Sequence, residues 1–187
     1  MAEKRSFLKH FWQDKKMVGS MVPSSKFLTE KMIRNIDFKK AKLIVELGPG
    51  NGVFTKKILE LMTKDCTLIV FELNTNFYEI LSKEIQDPRV ILIHGSAENI
   101  TQAVQEAGFL HADYVVSSLP LANFPKKLTQ EILNESYNNL KNNGKYIQFQ
   151  YTLQSKKNLE NRFDAVHISF TPMNFPPAFI YTCIKEK

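Results

Sequence analysis

The sequence predicts a doubly wound, Rossmann-like α/β fold with a mostly parallel sheet of seven strands and an antiparallel hairpin at its C-terminal end. From residue 42 onward, short β-branched runs alternate with amphipathic stretches, as is typical of a parallel sheet covered on both faces. The last two β-branched runs are separated only by TPMNFPP, which leaves no room for a helix. Two strands joined in this way must pair antiparallel.

The individual elements follow from the same alternation. Parallel strands are predicted over 42–47, 67–73, 89–94, 112–118 and 145–151, and the hairpin strands over 164–170 and 178–185. Helices are predicted over 53–63, 75–86, 97–107 and 127–140, with two more near the N-terminus over 3–18 and 25–36. Gly144, which follows KNN, predicts a turn before the fifth strand.

Length and composition indicate one domain. The 187 residues are 43% hydrophobic, enough for one core, so we expect a single domain over 1–187 with a helical segment at 1–41 and an α/β core at 42–187. Cys66 and Cys183 lie in apolar stretches without metal-ligand spacing and are predicted to be free, buried thiols. No apolar run has the length of a membrane span, and the N-terminus lacks a secretory signal. We therefore expect a cytoplasmic monomer that needs no metal.

The basic charge is concentrated at the N-terminus. Residues 1–42 hold 11 of the 25 basic and 4 of the 19 acidic residues, whereas the rest of the chain is nearly neutral. Such a segment favours an anionic partner, either a membrane surface or a nucleic acid. Within 3–18, the apolar residues, including Phe11 and Trp12, share one arc with lysines beside it. This pattern fits an arm packed on the domain or a helix lying on a membrane surface.

The strongest motif is VELGPGNG at 45–52, a predicted strand that runs into a glycine-rich turn and then a helix. Glycines allow a tight turn and a close approach of the backbone to a ligand, at the sheet edge where such folds bind ligands. The spacing of Gly48, Gly50 and Gly52 departs from G-x-G-x-x-G, and no Lys-Ser/Thr pair follows. The motif therefore argues against a dinucleotide site and against a nucleoside triphosphate site.

An acidic residue ends the second predicted strand. Glu72 lies 20 residues after Gly52, where a carboxylate can accept hydrogen bonds from both hydroxyls of a ribose. The glycine turn, this acid and HGSAEN after the third strand resemble the successive cofactor motifs of class I S-adenosylmethionine-dependent methyltransferases. The resemblance covers residues 45–118 and implies S-adenosyl-L-methionine as the cofactor and S-adenosyl-L-homocysteine as the product.

The same resemblance implies where each part of the cofactor lies. The three glycines would border the methionine and ribose parts, Glu72 and Leu73 the ribose, and Ser96 and Ala97 the adenine. Many family members carry Asp at the position of Ser96. Glu46 would either brace the turn or place the cofactor ammonium. The implied cofactor-binding set is Glu46, Gly48, Gly50, Gly52, Glu72, Leu73, Ser96 and Ala97.

A second motif, SSLPLANFP at 117–125, follows the fourth strand, where amine methyltransferases often carry Asn or Asp, two prolines and an aromatic. Methyl transfer is an in-line displacement and needs an amine with an oriented lone pair. We expect the Ser118 side chain and the Leu119 carbonyl to accept the amine hydrogens, with Asn123 shaping the pocket. The alternative is that the prolines of this segment only stiffen a loop.

The substrate class depends on Leu121, because adenine methyltransferases usually place an aromatic there to stack on the base. Leucine cannot stack in this way, although Phe124 is a possible substitute. Three segments, at 17–32, 117–125 and 174–181, resemble the bacterial phospholipid N-methyltransferases of the phosphatidylethanolamine and ornithine-lipid type. The resemblance implies a lipid amine substrate and a peripheral location on the inner face of the cell membrane, with Ser24 and Ser25 near the active-site mouth or capping a helix.

Other functions stay open at this point. An RNA adenine N6-methyltransferase shares the cofactor motifs, but Leu121 and the expected lack of an appended RNA-binding domain argue against a nucleic-acid substrate. A small-amine methyltransferase and an inactive fold that serves as a binding module are further alternatives. A protonated amine must lose its proton before it attacks. We identify no dedicated base, since the four histidines, Tyr151 and Tyr181 have no assigned role.

Overall fold

The computed structural model describes residues 26–186. The strands are β1 (Leu43–Leu47), β2 (Thr67–Glu72), β3 (Val90–His94), β4 (Ala112–Ser117), β5 (Leu140–Gln150), β6 (Ala165–Thr171) and β7 (Ala178–Ile184). The α-helices are α1 (Lys26–Ile33), α2 (Val53–Leu61), α3 (Thr75–Glu84), α4 (Ile100–Glu106), α5 (Lys126–Asn139) and α6 (Lys156–Glu160). Short 3-10 turns occupy Ala97–Asn99 and Leu121–Asn123.

The strands form one seven-stranded sheet in the order β3-β2-β1-β4-β5-β7-β6. Neighbours from β3 to β5 are parallel, and β7 is antiparallel to both β5 and β6. The predicted fold is therefore confirmed. The strand order reverses between β1 and β4, so the carboxyl ends of these two strands open the crevice in which doubly wound folds bind their ligands.

Apolar layers cover both faces of the sheet. All five residues of β1 are buried, as expected for a central parallel strand. One core cluster joins α4, α5 and α6 to one face, and the other joins α1 and α2 to the opposite face. Cys66 and Cys183 are buried and free, as predicted, and burial raises the pKa of the Cys66 thiol to about 11.

The start of the fifth strand and one short helix differ most from the sequence prediction. The fifth strand begins at Leu140 rather than at residue 145, and the predicted turn at Gly144 lies inside it. There the pairing with β4 shifts register, and Asn143 takes a positive φ of 62°. A bulge, rather than a loop, absorbs the irregular KNNG segment. The short helix α6 was not predicted, because five residues are too few for a clear periodicity.

The predicted helix at 3–18, Ser24 and Ser25 lie outside the described residues. The second predicted helix, at 25–36, corresponds to α1, which ends at Ile33. Across residues 26–186, none of the helices has the length and apolar character needed to cross a membrane.

Candidate active site

In the glycine turn after β1, Gly48 is closely packed and Gly50 is open. Gly48 and Gly50 both have positive φ values, 68° and 57°, which L side chains rarely adopt. A Cβ on Gly48 would lie 2.7 Å from the Leu119 side chain, so this position packs against the loop after β4. A Cβ on Gly50 would meet nothing within 4 Å. The backbone at Gly50 is thus open to a ligand at the carboxyl edge of the sheet.

Glu72 connects this turn to the end of β2. Its buried carboxylate accepts hydrogen bonds from the backbone amides of Gly50, at 3.1 Å, and Asn74, at 2.7 Å. Burial raises the pKa of Glu72 to about 7, and the backbone amides oppose this shift because they favour the ionised form. The sequence placed Glu72 correctly at the strand end, but it did not reveal that the carboxylate holds the turn itself.

Glu46 is a fully buried carboxylate in β1. Neither of its oxygens makes a hydrogen bond of normal geometry to residues 26–186, although the Thr55 hydroxyl lies nearby. Burial raises the pKa of Glu46 to about 8, with a smaller contribution from the charge of Glu72, while the nearby Thr55 hydroxyl opposes the shift. An unsatisfied buried carboxyl is costly in free energy, and a cationic ligand group would remove that cost. Glu46 therefore fits the ammonium of a bound amino acid moiety.

The end of β3 brings the HGSAEN segment beside Glu72. The Gly95 amide donates a 3.1 Å hydrogen bond to the Glu72 carbonyl. The Ser96 hydroxyl donates to the Glu98 carboxylate at 2.9 Å and caps the 3-10 turn, so it is already engaged. Ala97 is buried, and Leu73 is half-buried directly after Glu72. Glu98 is a residue that sequence reasoning missed, although HGSAEN contains it.

The loop after β4 lies against the glycine turn. The Ser118 amide donates a 2.9 Å hydrogen bond to the Leu47 carbonyl at the end of β1. The Ser118 hydroxyl is buried and has no hydrogen-bond partner within the described part of the chain. It is therefore available to a ligand at the crevice between β1 and β4. Asn123 is exposed at the end of the Leu121–Asn123 turn.

Leu121 and Phe124 of this loop are directed into the core. Leu121 and Phe124 are 2% and 8% exposed and belong to the cluster beneath α5. Phe124 is thus buried, and the suggestion that it could replace an aromatic stacking residue is wrong for this arrangement. The physical reason is that a 3-10 turn places both residues on the side of the loop that faces α5.

Two glutamines hold the Leu119 carbonyl, and sequence reasoning missed both. The side-chain amides of Gln148 and Gln150 each donate to this oxygen at 2.9 Å. The Tyr146 hydroxyl donates to the Gln148 side-chain oxygen at 2.6 Å and thereby orients its amide toward Leu119. Because a carbonyl has two lone pairs, the expectation that Leu119 accepts an amine hydrogen must be corrected. Alternate polar residues in the strand KYIQFQY were the available clue.

The predicted cofactor and acceptor residues are thus gathered at one edge of the sheet. The ends of β1 and β4 are adjacent, since Leu47 is paired with Ser117, and the end of β2 is paired with that of β3. Of the described histidines, His94 lies at this edge, at the end of β3 and paired with Glu72. His94 stacks on Tyr78 with ring centroids 4.6 Å apart, His111 precedes β4, and His167 is exposed on β6.

A sequence model of a known family matches the chain. The model described as ribosomal RNA adenine dimethylase matches residues 3–140. The chain belongs to this family. It is accordingly an S-adenosylmethionine-dependent methyltransferase, as the glycine turn and Glu72 predicted.

Similar proteins differ in how much of this chain they match. The ornithine lipid N-methyltransferase of Singulisphaera acidiphila is 33% identical over 184 residues, which cover 96% of this chain and 96% of that protein. The ribosomal RNA small subunit methyltransferase A of Crocosphaera subtropica is 31% identical over 110 residues, 57% of this chain and 38% of that protein. The methyltransferase thus spans nearly all of the first relative and less than half of the second.

Solved structures agree with the fold. A Burkholderia thailandensis 1,6-didemethyltoxoflavin-N1-methyltransferase with bound S-adenosylhomocysteine superimposes with a TM-score of 0.71 at 12% identity, covering 98% of this chain and 87% of that one. An rRNA methylase from Streptococcus thermophilus gives a TM-score of 0.65 at 16% identity, covering 86% and 95%. At such identities the likeness concerns the fold alone.

Proposed function

We propose that this methyltransferase transfers a methyl group to the amine of a membrane lipid headgroup. The observation that carries the proposal is the match to an ornithine lipid N-methyltransferase over 96% of both chains. The matches to ribosomal RNA methyltransferases cover less, for example 57% of this chain for the Crocosphaera protein and 70% for that of Clostridium acetobutylicum. The length shared with the lipid enzyme includes the β6–β7 hairpin, which lies beyond residues 3–140 that the ribosomal RNA adenine dimethylase model matches.

The described residues fit the cofactor, and we propose their roles. The open backbone at Gly50 and the turn from Gly48 to Gly52 would receive its methionine and ribose parts, with the unpaired Glu46 carboxylate facing the ammonium. Glu72 and Leu73 would contact the ribose. Ser96 and Ala97 would border the adenine. S-adenosylmethionine, when bound, supplies a methyl group on a sulfonium.

The acceptor side of the site is proposed to centre on Ser118. Its buried hydroxyl is the one atom of the loop after β4 that combines burial with a free hydrogen-bonding capacity among residues 26–186. It would accept a hydrogen from the lipid amine and orient the lone pair toward the methyl group. Leu119 would contribute indirectly, because the hydrogen bond to its carbonyl holds the loop in place. Asn123 would lie at the solvent-exposed side of the loop. The amine proton would leave before attack, to water at the open edge.

We further propose that the enzyme is a monomeric single domain held at the inner face of the membrane by its basic segment at 1–42. This segment carries a net positive charge that suits an anionic bilayer. The proposed membrane-surface helix at 3–18 belongs to it.

Methylation of RNA adenine is the second candidate, and the family match favours it. Against it, the three large apolar residues of the acceptor loop, Leu119, Leu121 and Phe124, are buried in the core. The loop therefore offers no exposed aromatic face on which a flipped base could stack.

The test supplies radiolabelled S-adenosylmethionine to the purified protein with a total lipid extract in one tube and total RNA in another. We expect label in a lipid, whose chromatographic mobility then identifies the headgroup class. A Glu72→Ala variant serves as the control for cofactor-dependent labelling. Label in RNA alone would overturn the lipid assignment and support the adenine alternative.

A further inference from the structure

Five large apolar side chains lie exposed on two neighbouring segments of the sheet. We call them the apolar rim. Phe175 and Met173 are the most exposed, at 84% and 61%. The rim consists of Tyr151 and Leu153 after β5, and Phe170, Met173 and Phe175 in the β6–β7 hairpin. Tyr151 packs on Phe149 and Phe170 packs on Phe179, so the rim includes side chains from both faces at one edge of the sheet. Exposed apolar side chains gathered in this way mark an interaction surface.

The apolar rim lies at the same sheet edge as the acceptor loop. Gln150, the last residue of β5, is paired with Phe179 on β7, and Phe179 is paired with Phe170 on β6. Gln150 also binds the Leu119 carbonyl. Since neighbouring strands are about 5 Å apart and their order is β4-β5-β7-β6, the hairpin tip lies roughly 10–15 Å from the acceptor loop along the sheet.

Exposed lysines flank the apolar rim. Lys156 and Lys157 begin α6 directly after the rim segment that follows β5, and Lys126 and Lys127 begin α5 directly after the acceptor loop. Lys156 forms a 3.5 Å ion pair with Glu160, one turn along α6. The local charge at the edge is therefore positive, which is complementary to an anionic surface.

The helix α1, which belongs to the basic N-terminal segment, begins at this same edge. Lys31 of α1 donates to the Phe170 carbonyl, and Asn35 donates to the Thr182 hydroxyl, which lies further toward the amino edge. The helix thus runs from the carboxyl edge toward the amino edge. Its first residue, Lys26, consequently lies toward the carboxyl edge, where the apolar rim is found.

We propose that the apolar rim is a membrane-docking surface that inserts into the headgroup region of an anionic bilayer, while the flanking lysines face lipid phosphates. Protruding apolar side chains with lysines beside them suit a bilayer surface, where the acyl chains are apolar and the headgroups are charged. This docking surface rests on the proposed lipid function. Docking through the apolar rim brings the acceptor loop to the bilayer surface.

The first test locates the rim relative to the bilayer in the full chain. A Phe175→Cys variant and a Leu110→Cys control are labelled with an environment-sensitive fluorophore. Leu110 is 86% exposed and precedes β4, at the opposite edge of the sheet, and the two native thiols are buried. The vesicles contain phosphatidylcholine, phosphatidylglycerol and a nitroxide-labelled lipid, and no amine substrate.

We expect quenching of the label at position 175 and none at position 110. Equal quenching at both positions, or no quenching at position 175, would overturn the proposal. Because these vesicles carry no methyl acceptor, the result is independent of the methylation assay. Methylation of RNA alone would refute the lipid function, whereas an unquenched label at position 175 would refute only the docking surface.

The second test measures vesicle partitioning of Phe175→Asp and Leu110→Asp. Burying a phenylalanine side chain contributes enough free energy that we expect about a tenfold loss of partitioning for Phe175→Asp. Leu110→Asp should partition like the wild type, and both variants should retain cofactor affinity. Unchanged partitioning of Phe175→Asp would contradict docking through the apolar rim.

Discussion

The Gly50 amide donates a 3.1 Å hydrogen bond to the Glu72 carboxylate and thereby ties the glycine turn to the end of β2. This bond joins the most ligand-accessible part of the turn to the side chain proposed to hold the cofactor ribose. The turn and its acidic partner therefore act as one unit, and changes in either should affect cofactor binding.

Replacing Glu72 with Ala should weaken S-adenosylmethionine binding at least tenfold. The variant loses the bond to Gly50 and the proposed ribose bonds, and hydrogen bonds to a charged group contribute about 1.5–3 kcal/mol. Titration calorimetry measures the affinity, and circular dichroism checks that the variant is folded. Glu79→Ala, an exposed change on α3, is the matched control. Wild-type affinity in Glu72→Ala would remove Glu72 from the cofactor site.

The stability of the cofactor-free protein should fall as the pH rises from about 5 to about 8. Burial raises the pKa of Glu72 to about 7 and that of Glu46 to about 8, so the folded state retains protons that the unfolded chain releases near pH 4.5. The contribution of these protonated groups to the free energy of unfolding is fully present below pH 4.5. It is lost as the pH rises through their folded pKa values.

Thermal unfolding of Glu46→Gln measures this effect. A neutral amide cannot ionise, so the variant should show a smaller fall in Tm between pH 5 and pH 8 than the wild type. A difference of about 3 °C is expected, because 1 kcal/mol shifts Tm by about 2–4 °C in a domain of this size. Glu79→Gln should keep the wild-type profile, and an identical profile for Glu46→Gln would show that Glu46 is ionised when folded.

Ser118→Ala should lower the turnover rate more than it lowers cofactor affinity. The Ser118 hydroxyl has no protein partner among residues 26–186, so its removal breaks no hydrogen bond within that part of the fold. Loss of one orienting hydrogen bond is expected to reduce kcat about tenfold. Steady-state kinetics and calorimetry separate the two quantities. Proportional losses in both would count against an acceptor-site role.

Gln150→Met should also reduce kcat, because it removes one of the two side-chain amides that hold the Leu119 carbonyl. Methionine has a similar size, so the core should remain filled. We expect a roughly threefold to tenfold lower kcat with little change in cofactor affinity. Gln105→Met, an exposed change on α4, is the control. If kcat does not change in Gln150→Met, the loop keeps its position without this bond.

Deleting residues 1–16 should remove most of the binding to anionic liposomes while leaving cofactor affinity intact. The deleted residues include five of the basic side chains of the N-terminal segment, and each contributes about 1 kcal/mol near an anionic surface. Liposome flotation at low and high salt provides the measurement. Full retention of liposome binding would contradict the proposed membrane helix at 3–18 and would leave the apolar rim as the docking surface.

The fold, the position of the glycine turn and the placement of Glu72 could all be derived from the sequence. Each depends on residues close together in the chain: alternating β-branched runs define strands, and a turn of glycines directly follows one of them. The acid at the end of β2 then lies beside the turn, because parallel strands present their carboxyl ends at the same edge. Local periodicity and topology were sufficient for these features.

Only the tertiary structure revealed the glutamines that hold Leu119, the burial of Phe124 and the position of the apolar rim. Gln150 contacts a residue 31 positions away, and the rim exists because β5, β7 and β6 align in a particular register. Register depends on side-chain packing between strands distant in the chain, and a shift of one residue would turn each side chain to the other face. The sequence by itself therefore determined which chemistry the sheet edge carries, and the packed structure decided which side chains meet there.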